Sequence, residues 1–150
     1  MYIINDDIIN QQEQKGRAVF LSIHSGMTWT TSTNKYDVWD VSGSTRNTDM
    51  FVEIKDREIK STIYPTTFLQ VDKYNNLMQL PASSQKKAKA FYFVNYTDGR
   101  SYVFDLANID NIDQYRSKRW MKDVSLENQD LMIEKEIYEL PLALAVKSYR

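Results

Sequence analysis

Residues 35–57, KYDVWDVSGSTRNTDMFVEIKDR, constrain this chain more than any other stretch. Two extended segments flank a polar turn, and in the second Val52 and Ile54 alternate with Glu53 and Lys55. Successive side chains of a strand point to opposite faces, so Glu53 and Lys55 share one face while Val52 and Ile54 take the other. Antiparallel pairing about a turn near Thr45 puts Asp37 opposite Glu53, because 45 − 37 equals 53 − 45. Two carboxylates and an ammonium then crowd onto one patch, as a divalent metal and its activated water require. Asp40 is the rival for the first carboxylate. It lies on the opposite strand face from Asp37, and the same pairing sets it across from Met50, so it ranks second.

The segment ahead of this hairpin reads as a helix from about Asp6 to His24, with an N-cap among Asn5 to Asp7 and a stop at Gly26. Its best stripe runs Ile9, Glu13, Gly16, Phe20, Ile23, at helical spacing. Glu13 thus lies in line with core-facing positions. It is either a weak point in an apolar stripe or a carboxylate aimed at the same metal site. Gly16 counts against the helix. Met27 to Asn34 suits a short strand or loop.

Beyond Arg57, Pro65 opens an expected helix that runs to about Leu80 and is ended by Pro81, with Gln70 and Lys73 neighbours on its surface. Ala90 to Tyr96 is a strong strand signal; Asp98-Gly99 is a hairpin turn, and Ser101 to Leu106 returns as the partner strand. Ala107 to Tyr115 reads as a loop with a short helix. Arg116, Lys118, Arg119 and Trp120 form the densest basic and aromatic cluster. They are suited either to gripping phosphates or to a charged surface loop with one buried Trp. Leu131 to Leu140 adds a candidate last strand. The order of helix, hairpin, helix, hairpin describes an α/β fold: a mixed sheet flanked by helices.

Composition narrows the chemistry. At 150 residues, with 42% apolar and 26% charged side chains, a single domain spanning 1–150 is expected. Absence of Cys removes thiolate metal sites and cysteine nucleophiles. His24 is the only histidine, which disfavours imidazole metal sites and a Ser-His triad and leaves carboxylate–metal chemistry. A net charge of −1 argues against coating nucleic acid by charge alone, without excluding a local basic face. No signal peptide or membrane span is read, and the bland inference is a cytoplasmic protein.

Glu-x-Lys is cheap: it occurs at Glu13, Glu53 and Glu58. Only Glu53-Ile54-Lys55 follows an apolar strand start with an Asp across a hairpin. In that context the pattern of helix, Tyr36-Asp37-Val38, Val52-Glu53-Ile54-Lys55 and a following helix resembles the PD-(D/E)XK nuclease superfamily. Within it, the layout is most similar to small Holliday-junction-resolvase-like endonucleases, whose first helix also carries a Glu. The resemblance spans residues 6–106, and Tyr36 stands where the superfamily's name has proline.

The resemblance implies a restriction-endonuclease-like fold and a Mg²⁺-dependent phosphodiester hydrolase acting on DNA, including branched or junction DNA, with Mn²⁺ able to substitute. Asp37, Glu53 and the Ile54 carbonyl then hold the metal, Lys55 holds or polarises the attacking water, and Glu13 completes the shell. Gln70 and Lys73 approach the scissile phosphate, with Arg116, Lys118 and Arg119 as further DNA contacts. Relatives imply a homodimer. The alternatives are a non-catalytic nucleic-acid-binding or assembly module on the same fold, and a small α+β domain whose acid–lysine cluster is only a surface ion pair.

Overall fold

A computed structural model describes residues 14–33, 38–83, 85–122 and 132–150. Helix α1 covers residues 14–23. Strands β1 (Trp29–Thr31), β2 (Val41–Ser44) and β3 (Thr48–Arg57) follow, then β4 (Thr66–Gln70) leading directly into α2 (Val71–Met78). The chain continues through β5 (Lys87–Tyr96), β6 (Ser101–Asp105), β7 (Arg116–Lys122), β8 (Met132–Pro141) and β9 (Lys147–Tyr149). Two sheets result. One is six-stranded, in the order β1-β2-β3-β5-β6-β9, mixed because β3 and β5 run parallel; the other is three-stranded and antiparallel, β4-β8-β7.

Strand β5 lies at the centre because it is apolar on both faces, as a strand covered on both sides must be. Ala90, Tyr92, Val94 and Tyr96 pack with Leu69, Leu77, Tyr138 and Leu140, filling the space under α2 and the small sheet. Phe93, on the other face, joins Val52, Ile54 and Val103 beneath Phe20 of α1. Of the expected α1 stripe, Gly16, Phe20 and Ile23 are described, and Gly16 and Phe20 are buried. Gly16 is a helical glycine with a packing reason: a Cβ there meets Ile54 Cγ2 at 3.0 Å, so the missing side chain lets α1 approach β3. His24 is structural. Its Nδ1–H donates to Phe20 O (3.0 Å) and its Nε2 hydrogen-bonds with the Tyr149 hydroxyl (3.3 Å), tying the end of α1 to β9.

Three expectations need correction. The β2–β3 hairpin is not symmetric about Thr45: Val41 pairs with Val52 and Gly43 with Met50, three residues away from the expected register. Asp40 N–H also donates to Val52 O at 2.8 Å, so Asp40 and Val41 are both set against Val52, in the manner of a β-bulge. Second, the helix expected from Pro65 begins only at Val71. The residues between are β4, whose alternate burial and β-branched Thr66 and Thr67 suit a strand zipped onto β8. Third, Arg116 to Trp120 is not a loop with a buried Trp. It is the outer strand of the small sheet, and Trp120 is 63% exposed. The mixed sheet, the Asp98-Gly99 turn with Gly99 at φ +81° and the strand from Met132 agree with expectation, but that strand is not the last: β9 follows it and pairs with β6.

Candidate active site between the two sheets

The alternation of β3 puts Val52 and Ile54 into the core under α1 and turns Glu53, Lys55 and Arg57 toward the small sheet. There they line a narrow cleft with Phe68 and Gln70 of β4, Lys73 of α2, Tyr92 of β5 and Met121 of β7. The free space is about 40 Å³, room for an ion or a few waters and far too small for a nucleotide. Of the two residues expected on a helix face, Lys73 lies on α2 and meets Glu53, whereas Gln70 ends β4 and lines the same cleft.

Glu53 is the electrostatic centre. Its side chain is 14% exposed, and Lys73 Nζ approaches Oε1 at 3.3 Å. Burial is the main force raising the Glu53 carboxyl, and repulsion from the Asp40 carboxylate adds to it. Against the pull of Lys73 these leave it at about 7. For Lys73, burial opposes the charge, but the Glu53 carboxylate outweighs it and holds the ammonium above its usual range.

Asp40 arrives from the bulged start of β2. Its Oδ2 accepts the Ile54 N–H at 2.7 Å, and its Oδ1 accepts from Arg17 of α1 at 3.0 Å. Arg17 also reaches Ser32 O at 3.2 Å, so α1, β1 and β2 are joined at this carboxylate. The place that symmetric pairing assigned to Asp37, beside Glu53, is thus held by Asp40. Asp37 itself and Glu13 lie outside the described residues.

Arg57 closes the far end of the cleft. It donates to Phe68 O at 2.9 Å and to the Tyr92 hydroxyl at 3.2 Å, while Tyr92 donates to the same carbonyl at 3.0 Å. Its guanidinium lies 4.0 Å from the Phe68 ring centroid, and that of Arg119 lies 4.3 Å from the same centroid. The basic cluster of β7 therefore splits. Arg119 turns toward the cleft side, whereas Arg116 pairs with Glu136 at 2.6 Å and Lys118 with Glu134 at 3.6 Å.

Two hard oxygen donors, Asp40 and Glu53, share one neighbourhood, and their mutual repulsion suits a cation between them. Among the described residues no group of three or more His, Asp or Glu side chains is arranged to hold a metal. Sequence reading missed Arg17, Arg57 and Tyr92. Arg17 follows Glu13 by four residues in the sequence, one turn along the expected helix, which was the available signal.

No protein-family model and no curated protein sequence matches the chain. Among solved structures it is similar to Hjc of Archaeoglobus fulgidus, a Holliday junction resolvase from an archaeal hyperthermophile. The TM-score is 0.56 over 90% of each chain, at 13% sequence identity. The likeness establishes a resolvase-like fold.

Proposed function

We propose that the chain is a metal-dependent endonuclease that hydrolyses phosphodiester bonds in DNA, with branched or junction DNA as its preferred class. The observation that carries this reading is the meeting of Glu53 and Asp40 beside Lys55, in a cleft between two sheets of a resolvase-like fold. Asp40 and Glu53 are the ligands we assign to a divalent ion, Mg²⁺ or Mn²⁺, which when bound supplies Lewis-acid charge and an acidified water. The Ile54 carbonyl, Asp37 and Glu13 are further candidates for its shell. Lys55, on the same face of β3 as Glu53, holds the attacking water and offsets charge developing on the phosphate. Gln70 and Lys73 orient the scissile phosphate at the cleft mouth, and Arg119 extends the contact along the backbone.

Incubation of a four-way junction and a plain duplex with the protein in Mg²⁺ or Mn²⁺ tests this reading. Cleavage is expected with either ion and none in EDTA. Glu53→Gln, Asp40→Asn and Lys55→Met are each expected to lower the rate by a factor on the order of 10² or more. Full activity in Lys55→Met contradicts the assignment.

One observation favours a second reading, a non-catalytic DNA-binding or assembly module. Each carboxylate already has a cation, Asp40 having Arg17 and Glu53 having Lys73. On that reading the same DNA is retarded in a gel but never cut, and Lys73→Met leaves the retardation unchanged.

A further inference from the structure

Next to the cleft, and sharing Arg57 and Phe68 with it, lies an open groove of about 420 Å³. Its size is that of a small-molecule site and not of a single ion. Tyr64, 58% exposed, stands on the loop before β4, and Tyr96 lines the groove beside Thr67. Across from them Arg119 is held over the Phe68 ring and exposed to solvent. Unlike its neighbours Arg116 and Lys118, Arg119 pairs with no carboxylate among the described residues. Thr67, only 5% exposed, has a buried hydroxyl with no hydrogen-bond partner of good geometry, although the Tyr96 hydroxyl is near.

The charges in the groove balance: Arg57 and Arg119 face Glu58 and Glu139. A bare phosphate therefore gains little there. A planar group with both donors and acceptors gains more, by stacking on an aromatic ring and a guanidinium and hydrogen-bonding to carboxylate and hydroxyl. That is the chemistry of a nucleobase. We propose that this groove binds one unpaired nucleotide, its base stacked between Tyr64 and Arg119 and its edge read by Glu139. The inference rests on the DNA-cutting reading only in placing that nucleotide next to the scissile bond. The DNA favoured is then one carrying an unpaired base at a branch, flap or bulge.

Fluorescence anisotropy with Glu53→Gln protein in EDTA measures binding apart from cleavage. A duplex with a one-nucleotide bulge is expected to bind about tenfold tighter than the intact duplex, the scale of one base stacked on an aromatic side chain. Tyr64→Ala, at an exposed position, is expected to abolish the difference and leave intact-duplex affinity unchanged, whereas Arg119→Ala abolishes the difference and weakens binding to both duplexes. Equal binding of bulged and intact duplex by the Glu53→Gln protein, or a preference that survives both substitutions, overturns the proposal. So does a Tyr64→Ala effect confined to sedimentation, which assigns the groove to a second copy of this chain. Cleavage without bulge preference removes this inference alone; bulge preference without cleavage by the unsubstituted protein removes the nuclease reading alone.

Discussion

At the scale of single residues, Glu53 is where the energetics are most exposed to measurement. Its carboxyl titrates at about 7 in the folded protein against an ordinary 4.5. The folded state therefore binds the proton more tightly than the unfolded chain, and stability falls as pH rises from about 4.5 through 7. Glu53→Gln removes that penalty. In EDTA the variant is expected to match the parent protein near pH 4 and exceed it at pH 8 by roughly 3 kcal/mol, the size of such a shift. Urea denaturation at a series of pH values reads the difference directly; an unchanged pH slope contradicts the assigned burial of Glu53. Lys73→Met is expected to push the Glu53 carboxyl higher still, because it removes the ammonium that pulls it down.

At the scale of elements, two contacts fix β3, one on each of its faces. Arg57 joins β3 to β4 through Phe68 O and reaches β5 through Tyr92, so it bolts the two sheets together where the cleft ends. Arg57→Ala leaves Tyr92 alone on that carbonyl and is expected to cost about 1–3 kcal/mol, the range for losing hydrogen bonds to a charged group. Gly16 sets the other side. Gly16→Val drives a branched side chain against Ile54 and is expected to destabilise by about 1–3 kcal/mol through overpacking, measured by thermal denaturation. What sequence reading recovered and what it lost follows the same physics. The period-two pattern of Met50 to Lys55 and the Asp98-Gly99 turn are local signals, and both appear as strands and turn. The β2–β3 register is set by the turn at Arg46 and Asn47, closed by Thr45 N–H to Thr48 O, and not by one centred on Thr45; that register puts Asp40 beside Glu53, in the place reasoned for Asp37. The small sheet was illegible because β4 meets β8 about seventy residues later, a pairing that local patterns do not encode. Pro65 suits a helix start, but Thr66 and Thr67 after it favour a strand, and the pairing with β8 decides for the strand.

At the scale of the whole molecule, the two apolar clusters lie on opposite faces of one six-stranded sheet and share β5 and β6. We propose on that basis that residues 1–150 unfold as one domain. Far-ultraviolet circular dichroism and Trp fluorescence are expected to give coincident denaturation curves; separated midpoints contradict it. A homodimer that pairs two clefts to cut two strands is the assembly we propose, and sedimentation at micromolar concentration is expected to give twice the chain mass. No helix among the described residues is long and apolar enough to cross a membrane. The central claim is that Asp40 and Glu53 share an ion beside Lys55, and the most direct measurement is anomalous diffraction from crystals soaked in Mn²⁺. The account predicts one peak about 2.1 Å from an oxygen of each carboxylate, with the Lys73 ammonium displaced from Glu53. Crystals that show no peak there and retain the Lys73–Glu53 and Arg17–Asp40 pairs contradict it.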